Sequence, residues 1–109
     1  MTVKKGLAHT CYKFFSNLAN PMRLAVIEQL MQKPMCVSEL AFALEQEQSI
    51  VSHNLRPLLD CNLINIHREG KKHIYTANSE TITPIFEIIK KHAEKFCPTG
   101  GKCLKEEKK

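Results

Sequence analysis

The chain carries five cysteines, Cys11, Cys36, Cys61, Cys97 and Cys103, and thiols are its most reactive side chains. An odd number excludes a complete set of intramolecular disulfides. In a reducing compartment, cysteines at this density serve metal binding, redox chemistry or packing. Cys36 opens the stretch Cys36-Val37-Ser38-Glu39-Leu40, which reads as the start of a helix. A Ser or Thr oxygen ordinarily caps such a start. A thiol there faces the positive end of the helix dipole, and thiolate is the form that binds soft ions and attacks oxidants. The plainer account is a weak cap, with Glu39 completing a capping box three residues on. Cys97 and Cys103 flank Pro-Thr-Gly-Gly-Lys. Two thiols on so pliant a spacer could close on one ion or form a disulfide, or be tail residues without a role. Cys11 falls on an apolar helix face, where a small buried thiol is an ordinary occupant. Cys61 reads as core.

A second constellation is polar and basic. Gln48, Ser49, Ser52, His53 and Arg56 fall near the start and on the outer side of one helical segment, whose apolar positions are Ile50, Val51, Leu55, Leu58 and Leu59. Gln can read adenine, Arg can read guanine or hold phosphate, and Ser can do either. Arg68, Lys71 and Lys72 surround Gly70 and suit phosphate. A formal net charge of +5 agrees with an anionic partner. By themselves, polar residues opposite an apolar stripe also describe any solvated helix face.

The elements that must position these groups follow from periodicity. A first helix is predicted from Lys5 to Leu18, with Leu7, Cys11, Phe14, Phe15 and Leu18 on one face. The stretch LANPMRLAVIEQLMQKP predicts a second, capped by Asn20, with Pro21 in its first turn and Leu24, Ile27, Leu30 and Met31 buried, ending at Pro34. CVSELAFALEQ predicts a short third helix with Val37, Leu40, Ala41 and Leu44 inward. QSIVSHNLRPLLDCNLI predicts a fourth, continuous through Pro57 and stopped by Asn62. The period then changes, and Ile64 to Ala77 reads as a β-hairpin turning at Gly70. TPIFEIIKKHAEKF predicts a last helix capped by Thr83, with Pro84 at its first position and a wide stripe of Ile85, Phe86, Ile88, Ile89, His92, Ala93 and Phe96. The expected fold is mainly α with a small β-hairpin, in the order α1-α2-α3-α4-β1-β2-α5. Residues 1–96 form one domain and 97–109 a mobile tail. A short helix, a tight connection and a polar-faced helix before a basic hairpin make a winged helix-turn-helix.

In the segments LANPMRLAVIEQL, CVSELAFAL, SIVSHNLRPLLDCNLI and REGKKHIY, from Leu18 to Phe96, the chain resembles the ArsR/SmtB family of small dimeric winged-helix repressors. The resemblance implies a homodimer formed through the first and last helices. It implies double-stranded operator DNA as partner, with Gln48, Ser49, Ser52, His53, Arg56, Arg68, Lys71 and Lys72 in contact. It also implies an inducer, either As(III)/Sb(III) or Cd(II)/Pb(II), taken up by thiols among Cys36, Cys97, Cys103 and Cys11, with no cofactor needed for DNA binding. Arsenic-, cadmium- and lead-responsive members carry Cys-Val-Cys where this chain has Cys36-Val37-Ser38. In cadmium-type members an N-terminal cysteine reaches that site across the dimer, a part Cys11 would play. The usual Ser-Arg-His-Leu of the reading helix is here Ser52-His53-Asn54-Leu55. Oxidation or reactive sulfur is the alternative signal, weakened because the second helix has no cysteine. The zinc-type site along the last helix would find only His92. An interaction module stabilised by zinc is the reading from another class.

The chain shows no Cys-x-x-Cys redox motif, Gly-rich phosphate loop or Ser/His/Asp arrangement, so no enzyme is expected. It has no long apolar run and no signal-peptide pattern, so no membrane association and a cytoplasmic location are expected.

Overall fold

The computed structural model describes Gly6 and residues 11–97. Tail residue Cys103 and most of the tail lie outside these. Helices α1 (Tyr12–Leu18), α2 (Pro21–Gln32), α3 (Val37–Leu44) and α4 (Gln48–Asp60) precede strands β1 (Ile64–Glu69) and β2 (Lys72–Ala77), and helix α5 (Ile82–Phe96) follows. The expected order is therefore the observed one. The chain divides into two compact units, residues 1–78 and 79–109.

In the first unit, α2 begins as its sequence demands. Asn20 Oδ1 accepts from the Arg23 N–H at 3.1 Å, and Pro21 occupies a first-turn position that needs no N–H. The buried stripe of α2 is Val26, Ile27 and Leu30. Val26 takes the place expected for Met31, which is 36% exposed. Leu40 and Ala41 of α3 and Val51, Leu55 and Leu58 of α4 meet this stripe, with Leu63 and Ile64 completing the core. Ile50, expected inward, is 41% exposed.

Both helices of the α3–α4 pair end in left-handed residues, Glu45 at φ 55° and Asn62 at φ 57°. Gln46 N–H donates to the Ala41 carbonyl and Leu63 N–H to the Leu58 carbonyl, each at 2.9 Å. These are Schellman closures, which satisfy the last carbonyls and turn the chain sharply. Asn62 thus stops α4 as its side-chain type suggests, and α4 runs unbroken through Pro57.

The hairpin pairs Ile64 with Ala77 and Glu69 with Lys72, leaving a two-residue turn. Gly70 stands first in that turn at φ 65°, whereas Lys71 has no positive φ. That is the pattern of a type II′ turn, in which the first position favours glycine. Met35 adds an unpredicted bridge. Its N–H donates to the Tyr75 carbonyl at 3.1 Å and its carbonyl accepts from Tyr75 N–H at 2.8 Å, so the residue before Cys36 is stitched to β2.

Two helix starts differ from expectation. Cys11 is the N-cap of α1 and not a member of it, and the expected start at Lys5 lies among residues outside those described. In the second unit α5 begins at Ile82, with Thr81 and not Thr83 as N-cap. Pro84 therefore stands at the third helical position, where an N–H would still lack an intrahelical acceptor, so its ring costs no hydrogen bond. Apart from Ile82, no α5 residue is buried: Ile88 is 66%, Ile89 54% and Phe96 66% exposed.

Leu58 is fully buried between the helices. Leu58→Ala should lower stability by about 2–5 kcal/mol, read as an earlier midpoint in urea unfolding.

Candidate nucleic-acid interface and thiol site

Helix α4 puts its two faces to different uses. Val51, Leu55 and Leu58, spaced by four and three, turn inward, so Gln48, Ser49, Ser52, His53 and Arg56 are carried outward and all are exposed. Arg56 Nε lies 3.8 Å from Asp60 Oδ1, with the two side chains 79% and 68% exposed. Such an i, i+4 pair is weak enough to yield to a better anion. At the hairpin tip Arg68, Lys71 and Lys72 are exposed, and an Arg68 Nη2 hydrogen donates to the Gly70 carbonyl at 3.5 Å. His67 Nε2 lies 3.2 Å from Glu69 Oε2 on β1. All eight expected contact residues are therefore solvent-facing, five on one helix and three around one turn.

A polar network holds α4 from behind. Arg23 of α2 donates from Nε to Asn54 Oδ1 at 3.1 Å and from Nη1 to Asn17 Oδ1 at 3.0 Å. Asn17 of α1 donates from Nδ2 to the Pro57 carbonyl at 3.3 Å and to Cys61 Sγ at 2.8 Å. Asn54 Nδ2 donates to the Ile50 carbonyl at 2.9 Å. Sequence reasoning passed over Arg23, Asn17 and Asn54. A signal existed: Arg23 precedes the buried Ile27 and Leu30 by four and seven residues, a cation in line with an apolar stripe. Cys61, expected in the core, is half-buried and accepts a hydrogen bond.

Cys36 is the N-cap of α3 and is 7% exposed. Its backbone N–H donates to Glu39 Oε1 at 3.0 Å, the return bond of a capping box. Its Sγ lies 3.2 Å from Ser38 Oγ. The Glu39 carboxyl is held below the usual carboxylate range, first by the Cys36 N–H, then by the Cys36 side chain, with Lys33 and Lys72 adding charge. Cys36, Cys61 and Cys97 are free thiols, and Cys97 is the C-cap of α5. Among the described residues no three His, Cys, Asp or Glu side chains converge to hold a metal ion. No described helix is long and apolar enough to cross a membrane.

Helix, tight connection, outward-facing helix and basic hairpin define a winged helix-turn-helix. A family profile described as "Bacterial regulatory protein, arsR family" matches residues 20–65. The arsenical resistance operon repressor of Bacillus subtilis is 33% identical over 89 residues, 76% of this chain and 85% of that protein. The chain belongs to the ArsR family. A transcriptional repressor SmtB homolog of Synechocystis is 32% identical over 82 residues, 75% of this chain and 62% of that protein, so the chain spans somewhat under two thirds of that relative. The homodimeric winged helix-turn-helix DNA-binding domain of Mb0332 from Mycobacterium bovis superposes with a TM-score of 0.75 at 25% identity, covering 86% of this chain and 88% of that one.

Because Glu39 has a depressed folded pKa, its bond to Cys36 stabilises α3 above the unfolded carboxylate value. That contribution is lost as pH falls through the folded pKa. Glu39→Gln keeps an acceptor but cannot titrate. Its urea midpoint should therefore vary less than the wild type's between about pH 3 and pH 6.

Proposed function

We propose that the chain is a homodimeric, operator-binding transcriptional repressor whose thiols report a soft metal or metalloid, As(III)/Sb(III) or Cd(II)/Pb(II). The observation that carries the DNA-binding part is the exposed polar face of α4 together with the exposed basic turn of the hairpin. A helix of this kind fits the major groove, and a basic hairpin beside it suits the backbone phosphates. Gln48, Ser49, Ser52, His53 and Arg56 are the groups offered to base edges and adjoining phosphates. Arg68, Lys71 and Lys72 are offered to phosphate alone. A palindromic operator calls for a two-fold protein. In support, α1 exposes Tyr12 and Phe15 at 57% and 56%, and α5 exposes Ile88, Ile89 and Phe96, apolar surface of the sort a second copy covers.

Sensing rests on Cys36. It caps the first helix of the reading pair, so ligation that pulled its sulfur from Ser38 would disturb α3 and, through the short connection, α4. The described part of one protomer offers no three-ligand set. Soft-ion binding therefore draws on further thiols from Cys11, Cys97 and Cys103, including those of the partner copy. The same observation favours a second reading in which oxidation or reactive sulfur acts on the thiols without a three-ligand site.

Fluorescence anisotropy with duplex DNA from the chain's own promoter tests the proposal. Lys72→Ala and Arg68→Ala should each weaken binding and reduce the slope of log K against log salt by about one. As(III), Cd(II) or Pb(II) should release the wild-type protein, and Cys36→Ser should blunt that release. Release by disulfide-forming oxidants alone would select the second reading. Indifference to all of them would remove sensing while leaving DNA binding intact.

A further inference from the structure

Asn54 lies on α4 between His53 and Leu55, on the helix proposed to read DNA. Asn is a natural reader of adenine, yet both ends of this amide are engaged within the protein. Oδ1 accepts from Arg23 Nε, and Nδ2 donates to the Ile50 carbonyl one turn back. Arg23 makes its second bond in another direction, from Nη1 to Asn17 Oδ1, and Asn17 returns to α4 at the Pro57 carbonyl. Arg23 thus ties three helices together, and α4 is gripped at Asn54 and Pro57, adjacent points on its surface.

The apolar burial of Val51, Leu55 and Leu58 is non-directional, whereas hydrogen bonds to a planar guanidinium lose strength over a few tenths of an ångström or a few tens of degrees. We propose that Arg23 is a positioning residue for the reading helix. Through Asn54 and Asn17 it sets the rotation at which Gln48, Ser49, Ser52 and Arg56 meet the groove, and so governs sequence discrimination without touching DNA. The proposal rests on the reading of α4 as the DNA-contacting helix. Lysine cannot replace it, because one ammonium on a flexible stem does not reproduce two bonds diverging from a rigid plane.

The test uses the full chain and two duplexes: one that the wild-type protein enriches from a randomised library, and a scrambled duplex of equal length. Affinities are read by anisotropy across a salt series for wild type, Arg23→Lys, Asn54→Ala and the double variant, with far-UV circular dichroism confirming folding. Arg23→Lys should lose about tenfold in affinity for the enriched duplex. It should lose less than about twofold for the scrambled one, with the salt slope unchanged. Adding Arg23→Lys to Asn54→Ala should cost clearly less than Arg23→Lys costs in the wild type, because the bond to Asn54 is already gone and only the one to Asn17 remains to lose. If Arg23→Lys does not fold, Asn54→Ala must show the same selective loss by itself. A salt slope lower by about one would make Arg23 a phosphate ligand and overturn the proposal. So would equal losses on both duplexes, or additive effects of the two substitutions. A wild-type chain that enriches no duplex would instead overturn the DNA-binding reading on which the proposal stands.

Discussion

Helix α4 has to be buried and presented at once. Val51, Leu55 and Leu58 are driven inward by the hydrophobic effect, and 3.6 residues per turn then leave Ser52, His53 and Arg56 no direction but outward. The rest of the first unit serves this one helix. Leu30 and Ile27 of α2 and Leu40 of α3 contribute the apolar floor. The Schellman closures at Glu45 and Asn62 set where α4 begins and where the chain leaves it for the hairpin. A slip of one residue along α4 would carry its apolar stripe through about 100° and place its polar side chains against the core.

Polar contacts refine what apolar packing leaves loose. Arg23 sits half-buried with two amide acceptors, and a part-buried cation without partners would be costly. Its bonds therefore constrain the helices more than they add net stability, since an exchange of water for protein acceptors gains little. The Met35–Tyr75 bridge plays a comparable part for Cys36. It anchors the backbone immediately before the cap to β2, while Glu39 holds the cap from within α3. The thiol is thus connected by short, stiff links to the hairpin on one side and to the α3–α4 pair on the other.

The second unit shows the opposite economy. The apolar side chains of α5 repeat at helical spacing, yet only Ile82 is buried. These exposed side chains form an apolar face on α5. It is also where Cys97 sits, at the C-cap of α5.

Much of the fold was legible in the sequence because periodicity, capping and turn chemistry are local. Asn20 with Pro21, Asn62 in the left-handed region and Gly70 at the hairpin turn each did what their covalent structure favours. The start of α5 lies two residues before the expected one because Pro84 is tolerated throughout the first turn and so does not mark its first position, and Thr81 makes no side-chain cap bond. The eight exposed polar and basic residues of α4 and the hairpin were legible for the same local reason. The tertiary structure alone decided the rest. It chose Val26 over Met31 for the core, joined Met35 to Tyr75 across 40 residues of chain, and brought Asn17, Arg23 and Asn54 into one network. Helical spacing gives the direction of a side chain about its own axis. Which partner waits in that direction depends on how separate helices pack, and no local pattern encodes that.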